Sequence, residues 1–297
     1  MIAALLLFSA VDWSSVPKLP HKLVPNWAKL PAGWNFGEVP GVAVDAQDNV
    51  WVFHRGKHAV VQFDKSGGVL KFWQDVPVVS AHGIKVGPDG GVWLVDVAGH
   101  AVMKFTQDGK LQMVIANAGR TAGNNDSPYA FNRPAGIGFK PDGSVLVADG
   151  YGNSRVIEFT KDGEYVRHWG KPGGGAGGEF NLVHDVVMDR RGRIYVGDRT
   201  NARVQVFDAT GKFIEKWDGL GQPWGLAYAA AEDALYMCDG EANRVLKLSM
   251  DGKVLGQLGS FGKAPGKFDY PHYLAVDSEG SIYVAEIKNW RVQKFAK

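Results

Sequence analysis

One pattern recurs six times along this 297-residue chain and constrains its fold more than any other feature. A short apolar strand runs into a Gly-containing turn, a second strand ends in an acid, and N-x-R leads into a third strand that closes on Phe. The copy from His184 to Phe207 reads HDVVMDRRGRIYVGDRTNARVQVF. The others start at Pro40, His82, Ala135, Trp224 and His272, so that successive copies are 42, 53, 49, 40 and 48 residues apart. Such a period, built from short alternating strands and turn signals, predicts an all-β chain folded as a β-propeller with one four-stranded blade per repeat. Six copies then make one closed ring over residues 14–297 rather than two domains.

The last copy stops at VQKFAK after its third strand. An open sheet edge at the seam of the ring would invite pairing with other chains. The N-terminal stretch near Trp27 to Trp34 is therefore expected to supply the missing strand of the sixth blade and join the two chain ends. Ahead of it, residues 1–13 (MIAALLLFSAVDW) carry a nine-residue apolar run ending in small residues, with no Lys or Arg before it. The run is too short to span a bilayer. It reads as a signal-like segment for a secreted or periplasmic protein, or else as an apolar segment docked on the propeller of a cytoplasmic one.

Charge adds one exclusion. The 33 basic and 31 acidic residues are interspersed and leave a formal charge of +2, which gives no field for nucleic acid or a membrane surface. A small-molecule or peptide substrate and a monomeric state are the expectation. Cys238 is the one cysteine, so no intrachain disulfide can form. Two connections between repeats, Arg120 to Arg133 and Lys171 to Asn181, are longer than a turn requires and rich in Gly, Asn and Pro. Long loops on a rigid ring are where substrate contacts concentrate.

Most recurring polar residues belong to the scaffold. Asp96, Asp149, Asp198, Asp239 and Glu286 end the second strand of their copies, and Arg155, Arg203, Arg244 and Arg291 open the third. An acid and an arginine at that fixed spacing form a strand-to-strand clamp. The Asp-Gly pairs at Asp89, Asp142, Asp162 and Asp251 read as hairpin turns.

The residues that break the repeat carry the chemistry. At the start of the innermost strand the six copies hold Pro40, His82, Ala135, His184, Trp224 and His272. Histidine thus occupies blades two, four and six, and alternate blades of a six-fold ring face one axial point from three sides. Three imidazoles converging there are the ligand set of a metal site with an open position, and zinc suits such a set. His21, His54, His58, His100 and His168 lack this relation and are expected at the surface or behind the site. Just beyond the second strands stand Arg55, Val97, Tyr151, Arg199, Gly240 and Ile287. The second strand returns antiparallel to the first, so Arg55, Tyr151 and Arg199 should rim the histidines, offering two guanidiniums for a carboxylate and one phenol as a base.

With FHRG, HGI, ADGY-x-NSR, FN-x-x-H, GDR-x-N-x-R and FDYPH in this order from about Gly37 onward, the chain resembles the peptidyl-α-hydroxyglycine α-amidating lyases, which are built of NHL repeats. The resemblance implies zinc on His82, His184 and His272, Tyr151 as catalytic base, and Arg55 and Arg199 as the arginines that hold and polarise the substrate. It implies cleavage of an N-acyl- or peptidyl-α-hydroxyglycine to a primary amide and glyoxylate. It also implies a calcium ion on the backbone carbonyls of Val42 and Ile84 and on an aspartate directly after the third histidine. Tyr273 stands at that last place and is no hard carboxylate ligand, which argues against calcium. Gly152 stands where the family's disulfide cysteine would be, and no copper-monooxygenase module is attached to these repeats. Three other readings of the same propeller stay open: a metal-dependent hydrolase or lactonase, a ureidoglycolate-type lyase, and a binding platform without chemistry.

Overall fold

The computed structural model describes residues 11–297, and the expected signal-like run lies almost wholly outside them. Trp13, at its end, packs on blade five with the Arg244 guanidinium 3.3 Å from its ring centre. Six four-stranded antiparallel sheets form the blades. The innermost strands, Gly41–Val44, Ala81–Val86, Gly136–Phe139, Val183–Met188, Pro223–Ala229 and Pro271–Val276, stand side by side around the axis in that order, and the sixth returns to the first. A closed six-bladed β-propeller results. Among the described residues no helix is long and apolar enough to cross a membrane.

Period-two patterning explains how the blades pack. The second and third strands are the middle of each sheet, covered on both faces, and runs such as Ile194–Asp198 and Arg203–Phe207 are buried at every position. The outermost strands meet solvent; Phe213–Asp218 buries little besides Trp217. The core is consequently divided into six apolar layers, one between each pair of neighbouring blades. Trp51, Phe53 and Trp73 of blade one meet Ile84, Leu94 and Phe105 of blade two, and the other layers repeat this around the ring. The Asp-Gly pairs are turns, with Gly90, Gly143, Gly163 and Gly252 at φ of 80°, 86°, 85° and 82°, a left-handed conformation that glycine adopts at no steric cost.

The acid-arginine clamp does more than tie two strands. Arg155, fully buried, gives Nε to Asp149 at 2.9 Å and the rest of its guanidinium to the carbonyls of Asn125, Ser127 and Ala130. Arg203 likewise holds Asp198 at 2.7 Å together with the carbonyls of Gly174 and Glu179. The two long connections are thus pinned to the blade that follows them. Blade two has Ala101 where the arginine would stand, and there Arg120, from the first long connection, reaches back to Asp96. His54 takes the acid's place in blade one; it is buried and its Nδ1 accepts from the Gly56 amide at 3.1 Å. His21 is also buried, bonded to the Gly280 carbonyl away from the axis, which corrects the expectation of a surface or near-site position for that histidine.

The ring closes through its N-terminal segment, as expected, but with a different stretch. Lys22–Val24 pairs antiparallel with Arg291–Ala296 and completes blade six, ahead of the Trp27–Trp34 region. Trp27 is instead a wedge across the seam. Its ring lies 5.3 Å from Phe63 of blade one and 5.1 Å from Tyr283 of blade six, and its indole N–H donates to the Lys65 carbonyl. Aromatic area weighs more here than the three-residue pairing. Trp27→Ala is expected to lower the unfolding free energy by about 3–5 kcal/mol, as for a large aromatic removed from a packed core. Urea denaturation measures this, and a loss under about 1 kcal/mol would mean that the seam is held elsewhere.

Candidate metal centre at the ring axis

His82, His184 and His272 start three alternate inner strands, and each makes the same bond. The Nδ1–H of His82 donates to the carbonyl of Ala135 at 2.7 Å, that of His184 to Trp224, and that of His272 to Pro40 at 2.7 Å. Every acceptor is the residue at the equivalent position of the next blade. These bonds fix the tautomer, because an Nδ1 that donates leaves Nε2 with its lone pair. The three rings converge with centroids 5.0, 4.7 and 4.9 Å apart, and one ligand atom from each lies within 4.8 Å of the other two. Relative exposures of 1%, 0% and 3% place them out of solvent. Three lone pairs aimed at one buried point repel one another unless positive charge sits between them, which is the condition for binding a metal ion.

Burial is also the first cause of their depressed basicity. His82 is pushed down to about 3, with Arg55, Arg199 and Arg133 adding repulsion. His184 and His272 fall well below the ordinary range for the same reason, His184 also through the proximity of His272 and His82, and His272 through that of His82, Arg199 and Arg55. Neutral imidazole is the form a cation needs.

Tyr151 completes the cluster. Its hydroxyl lies 3.1 Å from His82 Nε2 and 3.1 Å from His184 Nε2, and accepts a 3.3 Å hydrogen bond from Arg199 Nη1. The phenol can donate to only one imidazole at a time. Burial raises its pKa, and Arg199, Arg55 and Arg133 oppose that rise. Arg199 stacks on Trp224, 3.7 Å from guanidinium carbon to ring centre, and its buried Nε has no partner among the described residues. Arg55 gives Nε to the Ala81 carbonyl at 3.2 Å and Nη1 to Glu38 at 2.5 Å. The structure therefore brings together all six residues expected at the axis.

Three neighbours escaped the sequence reading. Glu38, upstream of the first repeat, partly neutralises Arg55. Arg133, at the end of the first long connection, sits 5.4 Å from the centre of the Tyr151 ring, with its backbone N–H donated to His100 Nδ1. Tyr270 forms an aromatic wall with Trp224, the ring centres 5.2 Å apart. All three stand two residues before the axial residue of their copies, Pro40, Ala135 and His272, where their carbonyls accept the same backbone bond from Arg55, Tyr151 and Ile287; that shared register was the available signal.

The level below the histidines differs from a calcium site. Tyr273 is fully buried, its hydroxyl 2.9 Å from the His184 carbonyl and 3.1 Å from that of Ala135. Asp185, the carboxylate at that level, already faces the ammonium of Lys85 at 3.4 Å. The donor set around the Val42 and Ile84 positions thus includes a resident cation and no free carboxylate, and calcium does not fit it.

Fold and axis together define a six-bladed NHL-type propeller with a buried tris-histidine cluster. A family model described as SMP-30/Gluconolactonase/LRE-like region matches residues 87–297, and the chain belongs to that family. NHL repeat-containing protein 3 of Homo sapiens is 30% identical over 305 residues, covering 96% of this chain and 86% of that protein. Peptidyl-alpha-hydroxyglycine alpha-amidating lyase 1 of Drosophila melanogaster is 27% identical over 348 residues, covering 94% of this chain, which spans 63% of that protein's length. Among solved structures, a streptogramin B lyase superposes with a TM-score of 0.65 at 14% identity over 89% of this chain and 94% of that one, a likeness of fold.

Acid should destabilise the metal-free protein in a definite window. Each axial histidine has a native pKa below its unfolded value near 6.5, so as pH falls through 6.5 the unfolded chain takes up protons that the native state refuses. Stability then drops by up to about 1.4 kcal/mol per pH unit for each such histidine, for His82 down to about pH 3. Urea midpoints of metal-stripped protein between pH 7 and 5 test this. The variant carrying His82→Gln, His184→Gln and His272→Gln should show a shallower fall, and an equal slope in both proteins would contradict the neutral cluster.

Proposed function

We propose that this chain is a zinc-dependent carbon–nitrogen lyase that cleaves a peptidyl- or N-acyl-α-hydroxyglycine to a primary amide and glyoxylate. The observation that carries this reading is the convergence of three Nε2 atoms from alternate blades on a point beside the Tyr151 hydroxyl, itself bonded to Arg199. His82, His184 and His272 would hold the ion. When bound, zinc acts as a Lewis acid that lowers the pKa of a hydroxyl placed beside it.

The chain's own groups account for the rest of the chemistry. Tyr151 is positioned to take the α-hydroxyl proton, and added positive charge next to its phenol would offset the burial that now raises its pKa. As that O–H pair becomes the carbonyl of glyoxylate, the C–N pair leaves with the amide nitrogen, to which Tyr151 returns the proton. No redox cofactor enters the balance. Arg199, with an unpaired buried Nε, and Arg55, whose salt bridge to Glu38 is only partly buried, are the cations for the substrate carboxylate. Trp224 and Tyr270 offer apolar surface for the acyl group.

A lactonase reading has one observation in its favour, the name of the matched family. Carboxylates hold hard ions such as calcium, whereas among the described residues the clustered ligands at the axis are imidazoles. That donor set favours the lyase.

Glyoxylate release from α-hydroxyhippurate by the purified protein, before and after chelation and with zinc restored, is the deciding assay. Release that is lost on chelation and returns with zinc is expected. No release, with one metal still bound per chain, would discard this substrate class in favour of a hydrolase or a ureidoglycolate-type lyase; no release and no metal would leave a binding platform. His184→Ala should lose metal and turnover with the fold intact. Tyr151→Phe should keep its metal and lose roughly 100-fold or more in kcat, the usual size of a general acid–base contribution. Full activity in either variant would refute the assigned roles.

A further inference from the structure

Directly after the six axial residues the inner strands carry Gly41, Gly83, Gly136, Asp185, Gly225 and Tyr273. The glycines are forced by proximity. A Cβ at Gly41 would lie 2.7 Å from the His82 carbonyl, at Gly83 2.9 Å from that of Ala135, and at Gly225 2.8 Å from that of His272. At Gly136 it would strike the Tyr273 hydroxyl at 2.5 Å and Asp185 at 2.6 Å. Only Asp185 and Tyr273 therefore place side chains in the channel at this level, and both are fully buried.

From two positions further along its strand, Lys85 of blade two crosses the axis to join them. Its Nζ donates to the Leu226 carbonyl at 3.0 Å and pairs with Asp185 at 3.4 Å, 5.7 Å from the centre of the Tyr273 ring. Asp185 Oδ2 also accepts from the Leu226 amide at 2.9 Å. Leu226 stands in blade five where Val42 and Ile84 stand in blades one and two, two residues after the axial position in each copy. The ammonium is thus bonded to one carbonyl of that inner ring, while the phenol spans blades six, three and four. On the far side of this layer the channel opens into an apolar cavity of about 240 Å³ lined by Val44, Val86, Phe139 and Met188.

We propose that Lys85 is a built-in cation: its ammonium, held by Asp185 and the Leu226 carbonyl, neutralises the buried carboxylate and braces the inner strands, so the channel has no place for a structural divalent ion beneath the histidines. A buried carboxylate without a counter-charge is strongly unfavourable, and the chain supplies the counter-charge covalently. This inference is independent of the lyase reading.

Thermal unfolding of the full chain, dialysed free of calcium and then measured with and without millimolar calcium, is the test. Wild type is expected to keep its Tm to within a degree. Lys85→Met should unfold at lower temperature and recover when calcium is added, because the Asp185 carboxylate then faces the channel alone. Lys85→Met with Asp185→Asn should not respond to calcium. Should Lys85→Met fail to fold, refolding in calcium is expected to rescue it, and Lys85→Arg, which keeps the charge, to fold without calcium. A calcium-dependent rise in the wild-type Tm overturns the proposal, as does a Lys85→Met protein that calcium neither stabilises nor rescues.

Discussion

A single hydrogen bond, repeated three times, ties the architecture to the chemistry. The Nδ1–H of each axial histidine donates to the carbonyl of the next blade. Blade two is thereby fastened to three, four to five and six to one. The same bond removes the proton ambiguity of the ring and turns Nε2 toward the axis. A histidine used in this way cannot drift without loosening an interface between blades, so the ligand geometry is as rigid as the ring. Burial then keeps all three neutral, which a solvated cluster of the same composition would not achieve.

Close approach of the inner strands is the reciprocal condition. Four glycines after the axial residues let neighbouring blades come near enough for those bonds, and the two copies without glycine fill the space that remains. The axis is layered as a result. Arginines and aromatic rings form the mouth, imidazoles and a phenol lie below them, and an ammonium, a carboxylate and a second phenol close the channel underneath. The lower layer is an ammonium paired with a carboxylate, so the imidazoles are left as the softest donors in the channel, of the kind a borderline metal prefers to hard oxygen ligands.

Repetition made much of this legible from residues alone. Comparing six copies in register separates what most blades share, such as Asp149 with Arg155 and Asp198 with Arg203, from what alternate blades carry, such as His82, His184 and His272. Glu38, Arg133 and Tyr270 stand in one register two residues before the axial position, and a comparison of copies that begins at the axial residue passes them by. Arg120 replaces a missing arginine from a different part of the chain, a substitution of role that no alignment of repeats displays. The closing strand was misplaced because Trp27 and Trp34 are the conspicuous residues of the segment. Yet three plain residues, Lys22–Val24, make the backbone pairing, while Trp27 packs beneath the seam. Hydrophobic weight marks what is buried; it does not mark which backbone pairs.

The same comparison separates fold from activity. Blades, clamps and turns would be identical in a propeller that only binds partners, and the likeness to a streptogramin B lyase at 14% identity speaks for the ring alone. What a binding platform does not require is three buried imidazoles on alternate blades with their lone pairs facing one another, a phenol between two of them, and a guanidinium whose buried Nε has no partner. The phenol can satisfy one imidazole lone pair at a time, so the other lone pairs and the guanidinium Nε are left without partners unless something occupies the axis. Among the described residues, Arg199 Nε and Trp224 Nε1 are buried at the axis without partners, next to the imidazole lone pairs, and a ligand bound there can supply what they lack. A cation would meet the lone pairs and a carboxylate the guanidinium, which is why the proposed function places a hydroxyl beside a carboxylate at this point.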